Sequence, residues 1–307
     1  MIGLVILKKI TILFIIMLAG FLLVKLRLVS PDDSKVLSKV CLYLVYPCVA
    51  ITAFQTEKTP ERIYGFVLSL LGGIIAFAVL ILAAKILDYF FHLNTVEKAS
   101  VIYSNSGNLV IPLVSAMFGN EWVIYTLGFT VISNLLFWSH GTSLISGEKN
   151  ISVKKVLLNV NILATFIGLF LFITGLHLPN LAEEAVESIS SVLGPVSMII
   201  IGMIIGGTDL KKIYSNKRAW MIVIIRLVAM PIIIMPILKL SMLQNMTPDG
   251  DIILLITMLA VSAPTAVSIS QMAQIYGKDD QFACAVNVLS TLLCILTMPL
   301  MIIIYEL

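Results

Sequence analysis

The chain has 307 residues, 59% of them hydrophobic and 12% charged, with a mean hydropathy of +1.06. A soluble protein of this length carries about twice that charged fraction, so only a bilayer can solvate such a composition. The net charge of +3 is too small and too scattered for a nucleic-acid partner.

A spanning helix needs about 20 mostly apolar residues. Ten such spans follow in chain order: 6–26, 36–55, 63–85, 97–118, 121–143, 156–176, 188–208, 218–240, 251–274 and 281–304. In the first, Lys8 and Lys9 precede an apolar run from Ile10 to Val24. That run is too long for a signal-peptide core and no small-residue cleavage site closes it, so it reads as a retained span. The loops are short, and residues 1–307 are expected to form a single membrane domain. Cys41, Cys48, Cys284 and Cys294 lie in apolar runs, where free cysteine behaves as a small hydrophobe. His92, His140 and His177 are far apart, and no cysteine–histidine spacing suits a metal. No metal and no cofactor is expected.

Two of the spans are interrupted by polar, helix-disrupting residues. The fourth reads Ser104-Asn105-Ser106-Gly107-Asn108-Leu109-Val110-Ile111-Pro112, and the ninth reads Ser262-Ala263-Pro264-Thr265-Ala266-Val267-Ser268-Ile269-Ser270-Gln271. A break frees backbone groups that lipid cannot satisfy, so it must be buried in protein or line a wet cavity. Paired broken helices in two halves point to a transporter's binding site. Gly107 permits close backbone approach, while Pro112 and Pro264 are read as the residues that stop the helical ladder.

The halves resemble each other. The second span of each contains a proline, Pro47 and Pro195, and the fourth of each is the broken one. The exits from the breaks are alike, Met117-Phe118-Gly119-Asn120-Glu121 and Ile275-Tyr276-Gly277-Lys278-Asp279. Five spans per half force the second half to enter from the opposite side. Residues 1–145 and 156–304 are therefore read as two inverted five-helix repeats, in an all-α membrane protein whose broken helices 4 and 9 cross. Loops after the odd-numbered spans hold fourteen Lys and Arg against five on the other side. The positive-inside bias then puts both termini on the external face of the cell membrane.

Asn105-x-Gly107-Asn108-x3-Pro112-Leu113, Ala263-Pro264-Thr265-Ala266-Val267 and Arg226-Leu227-x3-Pro231 together resemble the auxin efflux carrier family, and its prokaryotic malate or malonate permease-like branch in particular. Plant members carry a long hydrophilic loop after the fifth span; here it spans only about Ser146–Lys155, as in bacterial members. The resemblance implies a fold similar to sodium/proton antiporters. In it, spans 1, 2, 6 and 7 form a scaffold, often dimeric, and spans 3–5 and 8–10 form a moving transport part. It also implies organic carboxylates as substrates.

The residues themselves favour an anion. A half-helix following a break points its N-terminal partial positive charge into the gap, and no Asp or Glu lies well inside any span. Asn105, Ser106, Gly107, Asn108 and Pro112 from the first break, and Ser262, Pro264, Thr265, Ser268 and Gln271 from the second, are the candidate substrate-binding residues, the alternative being that their side chains only patch the broken backbone. Arg226, the lone charge well inside a span, joins them. It is open to a second reading, since a side chain about 12 Å from the boundary at helical rise can snorkel to water. Asn134, His140 and Asn287 either line the same cavity or bond between helices. The competing readings are a cation/proton antiporter, which needs a membrane carboxylate that is missing, and a membrane enzyme, which needs a nucleophile–base pair or metal cluster that is missing too.

Overall fold

The computed structural model describes residues 2–148, 158 and 160–306. The loop expected near 146–155, with Lys149, Lys154 and Lys155, falls for the most part outside them. The described residues are helical throughout apart from turns and one isolated β-bridge. In chain order the helices are α1 Ile2–Lys25, α2 Pro31–Phe54, α3 Pro60–Phe91, α4 Thr95–Ile102, α5 Ser106–Phe118, α6 Asn120–Ser146, α7 Val160–Thr174, α8 Asn180–Gly206, α9 Lys217–Leu240, α10 Gly250–Ser262, α11 Val267–Ile275 and α12 Asp280–Glu306. A six-residue helix, Leu210–Ser215, links α8 to α9.

Six of these helices (α2, α3, α6, α8, α9 and α12) are long and apolar enough to cross a membrane. Apolar faces remain uncovered, as with Ile12, Ile15, Leu18 and Leu22 on α1 and Phe166, Ile167 and Phe170 on α7. Patches of this size on a soluble monomer would be anomalous; on a membrane protein they face lipid. The molecule is a multi-pass membrane protein.

Several boundaries move from those expected. The third span, expected at 63–85, is the 32-residue helix α3: Thr59 caps its N-terminus by accepting from Arg62 N–H, and it stops at His92 in the left-handed conformation. The seventh begins eight residues early. Asn180–Ser191 holds Glu183, Glu184 and Glu187, so hydropathy alone misses it although it is regular helix. The fourth and ninth expected spans are each split, into α4 with α5 and α10 with α11.

Prolines shape three of the remaining helices in one way. Wide π-helical turns occupy Cys41–Val45, Ser106–Val110 and Ile225–Ala229, and each ends two residues before a proline, Pro47, Pro112 and Pro231. A proline inside a helix lacks an N–H and presses its ring on the preceding turn; widening that turn relieves both problems without ending the helix. This corrects the reading of Pro112 as the residue that stops the fourth span. The helix stops at Ile102, and Pro112 sits inside the next helical piece.

Small residues set the packing. Helix α1 packs on the Leu193–Gly206 part of α8, and a Cβ added at Gly202 would lie 1.9 Å from the Met17 carbonyl oxygen, at Gly20 2.2 Å from that of Ile199. Gly202 and Gly206 are four apart on one face, the spacing that lets membrane helices approach backbone to backbone. Helix α7 lies on α2 in a similar way, with Gly168 against Phe54 and the Ala50 carbonyl. Helices α3, α6 and α10 pack together around Phe77 and Phe129, whose rings are 5.2 Å apart, and Gly128 lies against Ser69.

Candidate substrate site at the helix crossing

The two breaks meet. Ser104 and Thr265 form an antiparallel β-bridge, with Asn105 N–H donating to the Pro264 carbonyl at 2.7 Å and Ala266 N–H to the Tyr103 carbonyl at 3.1 Å. Two extended segments thus satisfy each other where the helices cannot. Neighbouring helices complete the repair: Thr265 N–H donates to Ser290 Oγ (3.1 Å), and Asn287 Nδ2 donates to the Thr265 carbonyl (2.5 Å). Asn287 is therefore a brace from α12 to the crossing.

Arg226 lies on the far side of the bridge, fully buried at 0% exposure. Its guanidinium donates to the Val101 carbonyl through Nη1 (3.1 Å) and to the Val261 carbonyl through Nη2 (2.8 Å). These are carbonyls of the last turns of α4 and α10, which helix geometry leaves without partners and partly negative. One cation joins both C-termini, which overturns the snorkelling reading. Glu97, by contrast, is a buried carboxylate at the very start of α4: it closes a capping box with Asn94 and pairs with Arg218 at 2.6 Å.

The opposite, N-terminal ends face a cavity of about 190 Å³. Its wall is formed by the first residues of α5 (Ser106, Gly107, Asn108) and α11 (Val267, Ser268), by Asn105, and by parts of α2, α6, α7 and α8. Pockets for drug-sized ligands run to roughly 300–1,000 Å³, so this one suits a small molecule. The ladder of α5 starts with Leu109 N–H on the Asn105 carbonyl and that of α11 with Ile269 N–H on the Ala266 carbonyl. Amides before these stay outside the ladder, which makes each end a ready anion binder. Among the described residues the lining includes no Asp, Glu, Lys, Arg or His.

A polar relay crosses the cavity floor. Tyr46 Oη donates a short hydrogen bond to Asn108 Oδ1, and Asn108 Nδ2 donates to Asn105 Oδ1 at 2.8 Å. Asn105 is 6% exposed, and its own Nδ2 has no protein partner. The relay therefore ends in an amide with both hydrogens to give, and such chains polarise cooperatively. Gly107 leaves room for it, since a Cβ there would sit 3.1 Å from the Tyr46 hydroxyl.

Sequence comparison identifies the family. The membrane transport protein family, which is the auxin efflux carrier family, matches residues 5–151 and 148–302. The chain belongs to that family. It is a membrane transporter, and transport rather than catalysis is the activity its family carries. A comparison with curated proteins returned no match.

In this transporter the structure gathers Asn105, Ser106, Gly107, Asn108, Ser268 and Gln271 onto one cavity wall. Thr265 and Ser262 are fully buried behind it, Pro264 forms the bridge, and Arg226 caps the far side. Pro112 lines a second cavity of about 240 Å³, with Thr52, Ser115, Asn120 and Pro195. The two cavities share two wall residues, Val49 and Ile111. Asn134 lines the first cavity. His140 does not; it bonds the Tyr103 hydroxyl at 2.8 Å, linking α6 to the crossing. Sequence reasoning missed Tyr46, Ser133 and Thr165 as cavity residues. The signal for Tyr46 was present: a tyrosine beside a mid-span proline, far from either membrane face.

Proposed function

We propose that this transporter carries a small organic anion, malate, malonate or a similar carboxylate, by alternating access around the crossing. The observation that carries the reading is the convergence of two half-helix N-termini and the unpartnered Asn105 amide on one cavity without charged walls. Such a site offers donors and partial positive charge to a carboxylate.

The architecture in this reading is ten spans in two inverted repeats. The antiparallel crossing supports it, as does the packing: α1 lies on α8 and α2 on α7, the pairs that exchange when first and sixth, second and seventh spans are swapped. The four make a scaffold, through which a homodimer forms, and α3–α6 with α9–α12 make the moving part. With the basic loops cytoplasmic and both termini external in the plasma membrane, the cavity lies on the cytoplasmic side of Val49 and Ile111, and the second cavity lies on the external side. A cation/proton antiporter needs a carboxylate at the crossing; the buried Glu97 is instead ion-paired to Arg218, so no observation favours that reading.

Uptake of labelled malonate and malate into proteoliposomes tests the proposal. Asn105→Ala and Asn108→Ala are expected to lower uptake at least tenfold. Undiminished uptake in both variants removes the crossing from the site.

A further inference from the structure

Charge bookkeeping at the crossing specifies the ionic state of the cargo. A helix terminus carries about half an elementary charge, negative at the C-terminus and positive at the N-terminus. The ends of α4 and α10 together supply about one negative charge, and the buried Arg226 guanidinium, bonded to Val101 and Val261, supplies one positive charge against it. Among the described residues no carboxylate pairs with Arg226. The negative pole of the crossing is thus balanced within the protein.

Its positive pole is not. The starts of α5 and α11 bring about one positive charge to the cavity wall, and no charged side chain among the described residues lines that cavity. The second observation is Asn105, whose Nδ2 is 94% shielded with its residue and has no protein partner. Donors and charge together amount to a complement for one carboxylate. The rest of the wall is polar but neutral, as with Ser133, Asn134 and Thr165, or apolar, as with Leu127, Ile200 and Trp138.

We propose that the cavity binds its ligand as a monoanion, so that a dicarboxylic acid is carried only in the form that retains one of its two protons. This rests on the organic-anion reading above and fixes its charge. A dianion would bring a second charge into a low-dielectric site that holds no counter-charge for it. The diacid takes its proton from water before entering and returns it after leaving, so one proton and one net negative charge move per molecule. No titrating side chain is needed for that coupling. Among the described residues, the titratable groups that face the cavity are Cys41 and Tyr46 from α2 and Tyr103 at the crossing; α5, α6, α7, α8 and α11 present none there, and His140 bonds the Tyr103 hydroxyl.

The test uses the full chain in proteoliposomes and three probes: malonate, malate and the monomethyl ester of malonic acid, which has no second proton to lose. Initial uptake is followed against pH together with the charge moved per molecule. Uptake of each diacid is expected to fall about tenfold per pH unit above its own second ionisation, with a lower midpoint for malate, whose hydroxyl makes it the stronger acid, than for malonate, while ester uptake stays level. One charge per molecule is expected for all three. A single midpoint common to both diacids assigns the titration to a protein group and overturns the proposal. Two charges per malonate overturn it as well. Absence of uptake for all three at every pH removes the organic-anion reading and this inference with it.

Discussion

The main-chain N–H of Asn105 donates a 2.7 Å hydrogen bond to the carbonyl of Pro264, joining two points more than half the chain apart. Pro264 has no N–H of its own, so the reciprocal donor is Ala266, two residues on, which reaches back to Tyr103. This small bridge replaces the missing turns of two helices. It also sorts their ends, with C-termini on the Arg226 side and N-termini on the cavity side.

Removing the shared cap should be costly. Arg226→Met leaves the Val101 and Val261 carbonyls without their donors, and a buried unsatisfied group costs about 1–3 kcal/mol. A loss of roughly 2–5 kcal/mol is expected in thermal unfolding of the detergent-purified protein, with Arg226→Lys losing about half as much. Melting of Arg226→Met at the wild-type temperature would show that the guanidinium is not the counter-charge.

Asn105 should matter for ligand as well as for the relay, because its Nδ2 bonds nothing in the protein while its Oδ1 accepts from Asn108. Loss of a hydrogen bond to a charged group is worth about 1.5–3 kcal/mol, so Asn105→Ala should weaken carboxylate binding at least tenfold. Asn105→Asp, which adds a like charge, should abolish it. Isothermal titration against malonate measures both, and a wild-type dissociation constant for Asn105→Asp is the contrary result.

The contact of α1 with α8 leaves no room at Gly202, where an added Cβ would sit 1.9 Å from the Met17 carbonyl oxygen. Gly202→Ala should destabilise by about 1–3 kcal/mol, the usual effect of overpacking, and Gly202→Leu should fail to yield a monodisperse protein. Size-exclusion profiles and melting curves report this; a Gly202→Leu variant that elutes and melts as wild type contradicts the packing described.

Val49 and Ile111 stand in the wall common to both cavities. Trimming them together, Val49→Ala with Ile111→Ala, should join the cavities and let anions leak across without alternation. Planar-bilayer recording under voltage should then show a steady anion conductance that wild type lacks, and silent bilayers would place the barrier elsewhere.

The crossing was legible in the sequence because its residues cannot face lipid: a glycine, two asparagines and a proline in mid-span demand either burial or water. Its partners were less so. Pro112 looks like a helix stop, yet a wide turn ahead of it keeps the helix going, and nothing in the residue types reveals that widening. Arg226 sits at a depth from which a long side chain could reach water, and only the three-dimensional arrival of the Val101 and Val261 carbonyls decides against it. Tyr46 joins Asn108 from 62 residues away, a separation over which periodicity carries no information. Glu97 was not singled out in the sequence; α9 brings Arg218 over it, leaving the carboxylate 3% exposed and the arginine 41%.

The wide turn at Cys41–Val45 has a further effect on α2. An extra residue in one turn advances the helix phase by about 100°, so the stripes before and after Pro47 do not line up. Tyr46, the residue that follows the wide turn, meets Asn108 from the phase that the turn sets. Shortening the segment by a single residue would restore regular winding and swing the phenol aside, disconnecting the amide relay while leaving every residue of the cavity in the chain.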